Sequence, residues 1–223
     1  MPDRKTRRPA CTIDVVLLTA VGSQLAVLLC RAPDGREKWV LPWDAQRPAE
    51  TMEAAATRVA KAAAVGDPAW LEQVGAFGDG KRHPSESEIS IGYVGLVPMG
   101  TPSPVGGVYA WFTLSDVPQL APRQRLILDG AVAMIRVRMD QSPVAFKLLP
   151  QMFTLTELQQ MYELLLGKRL HKASFRRALQ AAWLVEPTDE WRSEGRGRPA
   201  QFFRFAPRKR RGHRRGVRFD LLG

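Results

Sequence analysis

Cysteine is nearly absent from this chain, with two residues in 223. Cys11 and Cys30 each lie in or beside an apolar run, with no Cys-x-x-Cys or Cys/His spacing. That excludes a disulfide framework or a thiolate metal centre and leaves two inert structural thiols. Histidine is almost as scarce, three residues far apart in the chain, so no histidine-based metal or catalytic cluster is expected. His83 and His171 read as plain surface residues. No apolar stretch approaches the ~20 residues that a bilayer-spanning helix needs. The charged start, MPDRKTRRPAC, leads into no signal-peptide core. The expectation is a soluble cytoplasmic protein with no membrane partner. The most telling scarcity is of negative charge at one end. Residues 151–223 hold 16 Lys and Arg against 7 Asp and Glu, whereas residues 1–150 hold 17 against 15. The net charge of +11 is therefore concentrated in the last third, which favours a polyanionic partner there.

Residues 12–19 and 24–31 are β-branched runs separated by Ala20-Val21-Gly22-Ser23, the pattern of a hairpin. Trp39 to Leu41 reads as a short strand stopped by Pro42. The alanine-dominated stretch from Glu50 to about Ala64 reads as a helix. Strands are expected at 88–97 and 108–114. A helix is expected at 122–138, with Leu126, Ile127, Gly130, Val132, Met134 and Val137 as its apolar stripe. Together these make a mixed α/β domain.

Beyond Asp140 to Pro150 the pattern changes. Thr154 and Glu157 have the spacing of a capping box. Leu155, Leu158, Tyr162 and Leu165 recur at helical spacing, and Gly167 can end that helix. A second helix from about Lys172 to Ala182 places Phe175, Ala178, Leu179 and Ala182 inward and Ala173, Arg176, Arg177 and Gln180 outward. A hairpin with a basic tip follows, from Leu184 through Arg196 to Phe205. Two helices and a basic hairpin form a winged helix-turn-helix pattern. On the second helix, Arg176 and Arg177 can reach guanine edges or phosphates, with Lys172 and Ser174 near its start. Arg192, Arg196 and Arg198 of the hairpin can lie along the backbone or in a minor groove. The closing segment, PRKRRGHRRGVRFDLLG, is too basic and glycine-broken to pack, and would add salt-dependent affinity.

The stretch from Leu41 onward resembles the Nudix box, G-x5-E-x7-R-E-U-x-E-E-x-G-U with U apolar. Glu50 and Arg58 match its spaced glutamate and its arginine. The first glycine falls on Asp44, and the metal-binding carboxylates fall on Val59, Ala62 and Ala63. Alanine and valine do not coordinate a hard cation. Gly75-Ala76-Phe77-Gly78, Lys81-Arg82-His83-Pro84, Ile89 to Val97 and Trp111 to Pro118 extend the resemblance to ADP-ribose-type Nudix domains. Ala145 to Pro150, Phe153 to Gln159, Phe175-Arg176-Arg177 and Gly197 to Ala200 resemble the winged helix of the Nudix-related transcriptional regulators, repressors of NAD-biosynthesis genes.

The resemblance covers about residues 12–206. It implies an α/β Nudix-like domain, a mixed sheet with helices, at 12–145 and a winged helix-turn-helix at 146–206. A basic arm (1–11) and a basic tail (207–223) flank them. It also implies a ligand-responsive regulator, a likeness to repressors, that binds a palindromic double-stranded DNA operator as a homodimer and senses ADP-ribose or a related nucleotide or sugar metabolite. The effector residues it points to are Glu50, Arg58, Phe77 and Arg82, with Trp43 in place of a glycine beside the pocket. No catalytic residue, metal or cofactor is expected. Two other readings stay open: an active hydrolase of ADP-ribose-like substrates, and a non-specific nucleic-acid-binding protein.

Overall fold

The computed structural model describes residues 10–32, 39–63, 67–78, 80–101, 107–139, 141–193 and 199–206. The chain divides into two compact units, residues 1–19 with 26–132, and residues 20–25 with 133–223.

The first unit is built on strands β1 (Cys11–Val21), β2 (Gln24–Cys30), β3 (Trp43–Ala45), β4 (Trp70–Phe77), β5 (Ile89–Leu96) and β6 (Tyr109–Thr113). Helix α1 (Met52–Ala62) precedes β4, and helix α2 (Pro122–Arg138) follows β6. The sheet order is β4-β5-β1-β2-β6, with β3 paired antiparallel to β1. β1 and β5 run parallel, Ile13 beside Ile91 and Val15 beside Tyr93. β1 and β2 are central, and their near-continuous apolar sequence reflects burial on both faces.

Helix α1 covers one face. Ala55, Ala56, Val59 and Ala60 pack on Ile13, Val15, Leu17, Leu28, Ile91 and Tyr93. Its start is capped by Thr51, whose side chain accepts from the Ala54 amide, a contact worth about 1 kcal/mol. Glu50 lies before this helix rather than on it. Helix α2 faces the other side of the sheet. At Gly92 a Cβ would sit 2.8 Å from Ile127 of α2 and 3.0 Å from the Phe77 ring, so only glycine permits this approach.

Several elements differ from the sequence-based expectation. Val40 makes only a single bridge to Cys30, and the strand lies just past Pro42, at β3. β4 falls on Trp70–Phe77, where alternation is weak because half-burial is uneven along it. The apolar stripe assigned to α2 is also wrong in phase. The buried positions are Arg123, Gln124, Ile127, Leu128, Ala131 and Ile135, whereas Val137 is exposed. A polar glutamine occupies a core position, which shifts the apparent stripe around the helix.

The second unit contains a short 3-10 turn (Val144–Lys147), strand β7 (Met152–Thr154), helices α3 (Leu155–Leu166) and α4 (Lys172–Ala182), and strands β8 (Val185–Arg192) and β9 (Ala200–Phe205). The strands form an antiparallel sheet in the order β7-β9-β8. Thr154 and Glu157 form the expected capping box, and Gly167 ends α3 at φ 68. The core is aromatic. Phe146 meets Phe153 at 5.6 Å and Phe205 at 4.6 Å, and Tyr162 meets Phe175 at 5.4 Å. Such pairs contribute about 0.5–1.5 kcal/mol each beyond area burial. Phe175 and Leu179 anchor α4 by being fully buried.

Candidate functional site

Helix α4 follows α3 after a turn held by Glu163. The Glu163 carboxylate accepts from the Leu170 amide at 2.9 Å and from Gln159 at 3.0 Å. Burial would raise the Glu163 carboxyl, but these bonds and Arg169 outweigh it and hold the carboxyl below its usual range. With Phe175 and Leu179 inside, the opposite face of α4 is left to solvent. Lys172, Arg176, Arg177 and Gln180 are exposed, and Ser174 is half-buried. Among the described residues neither Arg176 nor Arg177 engages a carboxylate. His171 stands at the helix N-cap and meets the Ser174 hydroxyl at 3.3 Å.

The hairpin arginines divide. Arg196 and Arg198 lie outside the described residues. Arg192, expected to lie along the DNA backbone or in a minor groove, is engaged within the protein. It binds Glu157 at 2.6 Å and sits 4.8 Å over the Phe202 ring. It thus ties the hairpin to the first turn of α3. Burial acts against the Glu157 carboxylate, but the Thr154 amide and Arg192 bind it and leave its carboxyl below the usual range.

The four residues expected to bind an effector do not converge. Arg58 is held by Glu50, through Nε at 2.8 Å and Nη2 at 2.9 Å, by Asp44 at 2.5 Å and by the Ala45 carbonyl at 3.0 Å. Hydrogen bonds from Arg58, then the Arg47 amide, bring the Glu50 carboxyl down to about 2. Glu50 and Arg58 therefore brace the loop before α1. Phe77 packs against Gly92 and Gly130, between sheet and α2, because β4 turns it inward. Lys61 pairs with Asp67 at 3.0 Å. Val59 and Ala63 are buried and Ala62 is exposed, so two of the three positions where a Nudix box carries carboxylates are committed to the core. Among the described residues no cluster of histidine, cysteine and carboxylate side chains is arranged to hold a metal ion.

Arg82 alone of the four lines a cleft of about 590 Å³, which it shares with Lys81, His83, Arg123, Glu86 and Glu88. Beneath it lies a polar network in the core. His83 is 1% exposed and is not the surface residue expected from its loop position. Its Nε2 meets Asp14 at 2.8 Å, and its Nδ1 accepts from the Ser85 amide at 3.1 Å. The backbone donor fixes Nδ1 as acceptor, so Nε2 carries the proton donated to Asp14. Gln124 donates to the same carboxylate at 2.9 Å and exchanges bonds with the Leu41 backbone. Thr12 donates to the other oxygen at 3.0 Å. Trp43 meets the His83 ring edge-on at 5.2 Å. Two sequence signals could have pointed to this network, the polar Asp14 inside the apolar run of β1 and the polar Gln124 near the start of α2.

Comparison with known proteins matches residues 145–205 to the NrtR DNA-binding winged helix domain. The chain is 30% identical over 208 residues to the ADPR responsive transcriptional repressor NtrR of Acinetobacter baylyi, covering 89% of this chain and 82% of that protein. Shewanella oneidensis NrtR, solved in complex with a 27mer DNA, superposes with a TM-score of 0.77 at 28% identity, covering 89% of this chain and 94% of that one. A MutT/nudix family protein from Enterococcus faecalis superposes at 0.71 and 20% identity, covering 90% and 89%, and shares the fold.

Proposed function

Because the chain belongs to the NrtR family of Nudix-related transcriptional regulators, we propose that it is a repressor that reads an operator through α4 and responds to ADP-ribose or a close relative. The observation that carries this is α4 itself, with Phe175 and Leu179 buried and Arg176 and Arg177 projecting outward from a helix-turn-helix. A recognition helix needs that division between an anchored face and a free cationic one. Residues 146–206 serve as the DNA-reading domain and 12–145 as the sensor. The basic segments 1–11 and 207–223 add sequence-independent attraction to phosphate. Lys172 and Ser174 contact phosphates near the α4 N-terminus, and Arg196 and Arg198 reach DNA from the hairpin. A homodimer on a palindromic site fits this mode of reading.

Hydrolysis is not part of this function, since Val59, Ala62 and Ala63 supply no metal ligand. Effector binding acts by favouring one of two states that differ in operator affinity.

The test is a gel-shift titration on a DNA site that the protein itself selects from a random pool. ADP-ribose is expected to change the apparent Kd by about fivefold or more, in line with ordinary coupling energies. With Mg²⁺ present, phosphorus spectra should show ADP-ribose intact throughout. Unchanged affinity at saturating ADP-ribose removes the effector reading, and release of AMP restores the hydrolase reading.

A further inference from the structure

We propose that the cleft beside α2 is a phosphate-binding site in which Arg123 is the buried anchor. Arg123 stands in the first turn of α2 and is 2% exposed, yet it lines the open cleft. Its Nη1 donates to the Ser87 carbonyl at 2.6 Å, with the Ser87 hydroxyl at 3.5 Å. Its Nε is buried and finds no acceptor. Both Nη1 partners are neutral, and no carboxylate among the described residues pairs with this guanidinium.

A cation withdrawn from water, with no carboxylate paired to it among the described residues and one orphaned donor, is an expensive arrangement even with Glu86 and Glu88 elsewhere in the cleft lining. A structure retains one cheaply where an anion completes it. The guanidinium fork matches phosphoryl oxygens in shape and charge. The cleft is roomy enough for a diphosphate-sized group, and Lys81 and Arg82 add positive charge to its wall. Lys81, Arg82 and Glu86 already have interactions of their own, so the inference rests on Arg123.

The network below makes the site rigid. His83 is fixed through Asp14, and Gln124, next to Arg123, is fixed through Asp14 and the Leu41 backbone. The Arg123 amide also binds the Arg82 carbonyl at 3.2 Å, which joins the cleft loop to the start of α2. The ligand class is a small molecule bearing a phosphate or diphosphate group. Identifying that phosphate with the effector's own rests on the ADP-ribose reading above.

The experiment titrates the full chain with inorganic pyrophosphate at constant ionic strength. The arginine Nε–H signals are followed in proton–nitrogen spectra, and Arg123→Lys assigns the Arg123 signal. Trp43, in contact with His83, gives a second readout by fluorescence. A saturable shift of the Arg123 signal is expected, with about tenfold or greater weakening in Arg123→Gln, the loss expected for a charge-assisted contact. Pyrophosphate and ADP-ribose should compete. No saturable shift, or equal binding by Arg123→Gln, overturns the site. Arg123-dependent pyrophosphate binding without ADP-ribose competition upholds the site and removes the effector assignment instead. If Arg123→Gln does not fold, the wild-type Arg123 signal alone decides.

Discussion

Replacing Arg176 and Arg177 together with alanine is expected to weaken binding to the selected operator by roughly 30-fold to more than 10,000-fold, on the basis of about 1–3 kcal/mol per specific arginine contact. The fold itself should be untouched. Both side chains are exposed on α4, while Phe175 and Leu179 hold the helix in place. Alanine also has the higher helix propensity. The single variants should each lose part of this affinity, and sequence preference should relax at the bases they face. Arg210→Ala, in the basic tail, is the matched control. It removes the same single charge as either Arg176→Ala or Arg177→Ala alone, from a segment outside the described residues. Its expected effect is a small loss on all sequences alike, with the salt slope shallower by about one. Gel-shift titrations at several salt concentrations separate the two behaviours. Equal losses at positions 176, 177 and 210 would show that the protein binds by bulk charge, and α4 would lose its role as a reader.

The reading of α4 could be made from the sequence because its information is local. A 3.6-residue period sorts Phe175 and Leu179 from Arg176 and Arg177 without reference to any other element. The capping box at Thr154 and the left-handed Gly167 are equally local, and both appear in the structure as expected. The effector residues depended on something non-local. Glu50 and Arg58 stand at the right spacing, but their spacing does not reveal that they bind each other and Asp44. The resemblance points to Phe77 as a pocket residue, but it carries no sign of which face of β4 the ring takes, and the register of β4 on β5 turns it towards Gly92. The Arg192 contact to Glu157 joins residues 35 positions apart. His83 looked like a surface loop residue because its partner, Asp14, lies 69 positions away. The fold classes were thus legible, while the interior of the first unit was not, since its buried polar network is made of long-range pairs.

Asp14→Ala should show how much rests on those pairs. The substitution is expected to destabilise the first unit by about 3–5 kcal/mol, because each buried donor left without an acceptor costs about 1–3 kcal/mol, out of the roughly 5–15 kcal/mol of a typical domain. Three donors lose their acceptor at once: His83 Nε2, Gln124 Nε2 and Thr12 Oγ1. All belong to residues no more than 1% exposed, so water does not replace the carboxylate without opening the core. Thr12 has other bonds to Ser87 and Ser90 and suffers least. His83 and Gln124 suffer most, because the tautomer and amide orientation of each are fixed by backbone groups at the other end. Asp14→Asn separates charge from hydrogen bonding. Its amide oxygen can still accept from His83 and Gln124, and its NH2 can donate to Thr12 if that hydroxyl turns, so a cost of about 1–2 kcal/mol is expected. Urea unfolding followed by tryptophan fluorescence measures both, with Trp43 reporting from beside His83. A loss below about 1 kcal/mol for Asp14→Ala would mean that the network is not a buried keystone. Because His83 lines the cleft and Gln124 adjoins Arg123, Asp14→Asn should also weaken pyrophosphate binding, even where the fold survives. Stability and phosphate affinity then fall together, although Asp14 touches neither the phosphate nor the cleft surface.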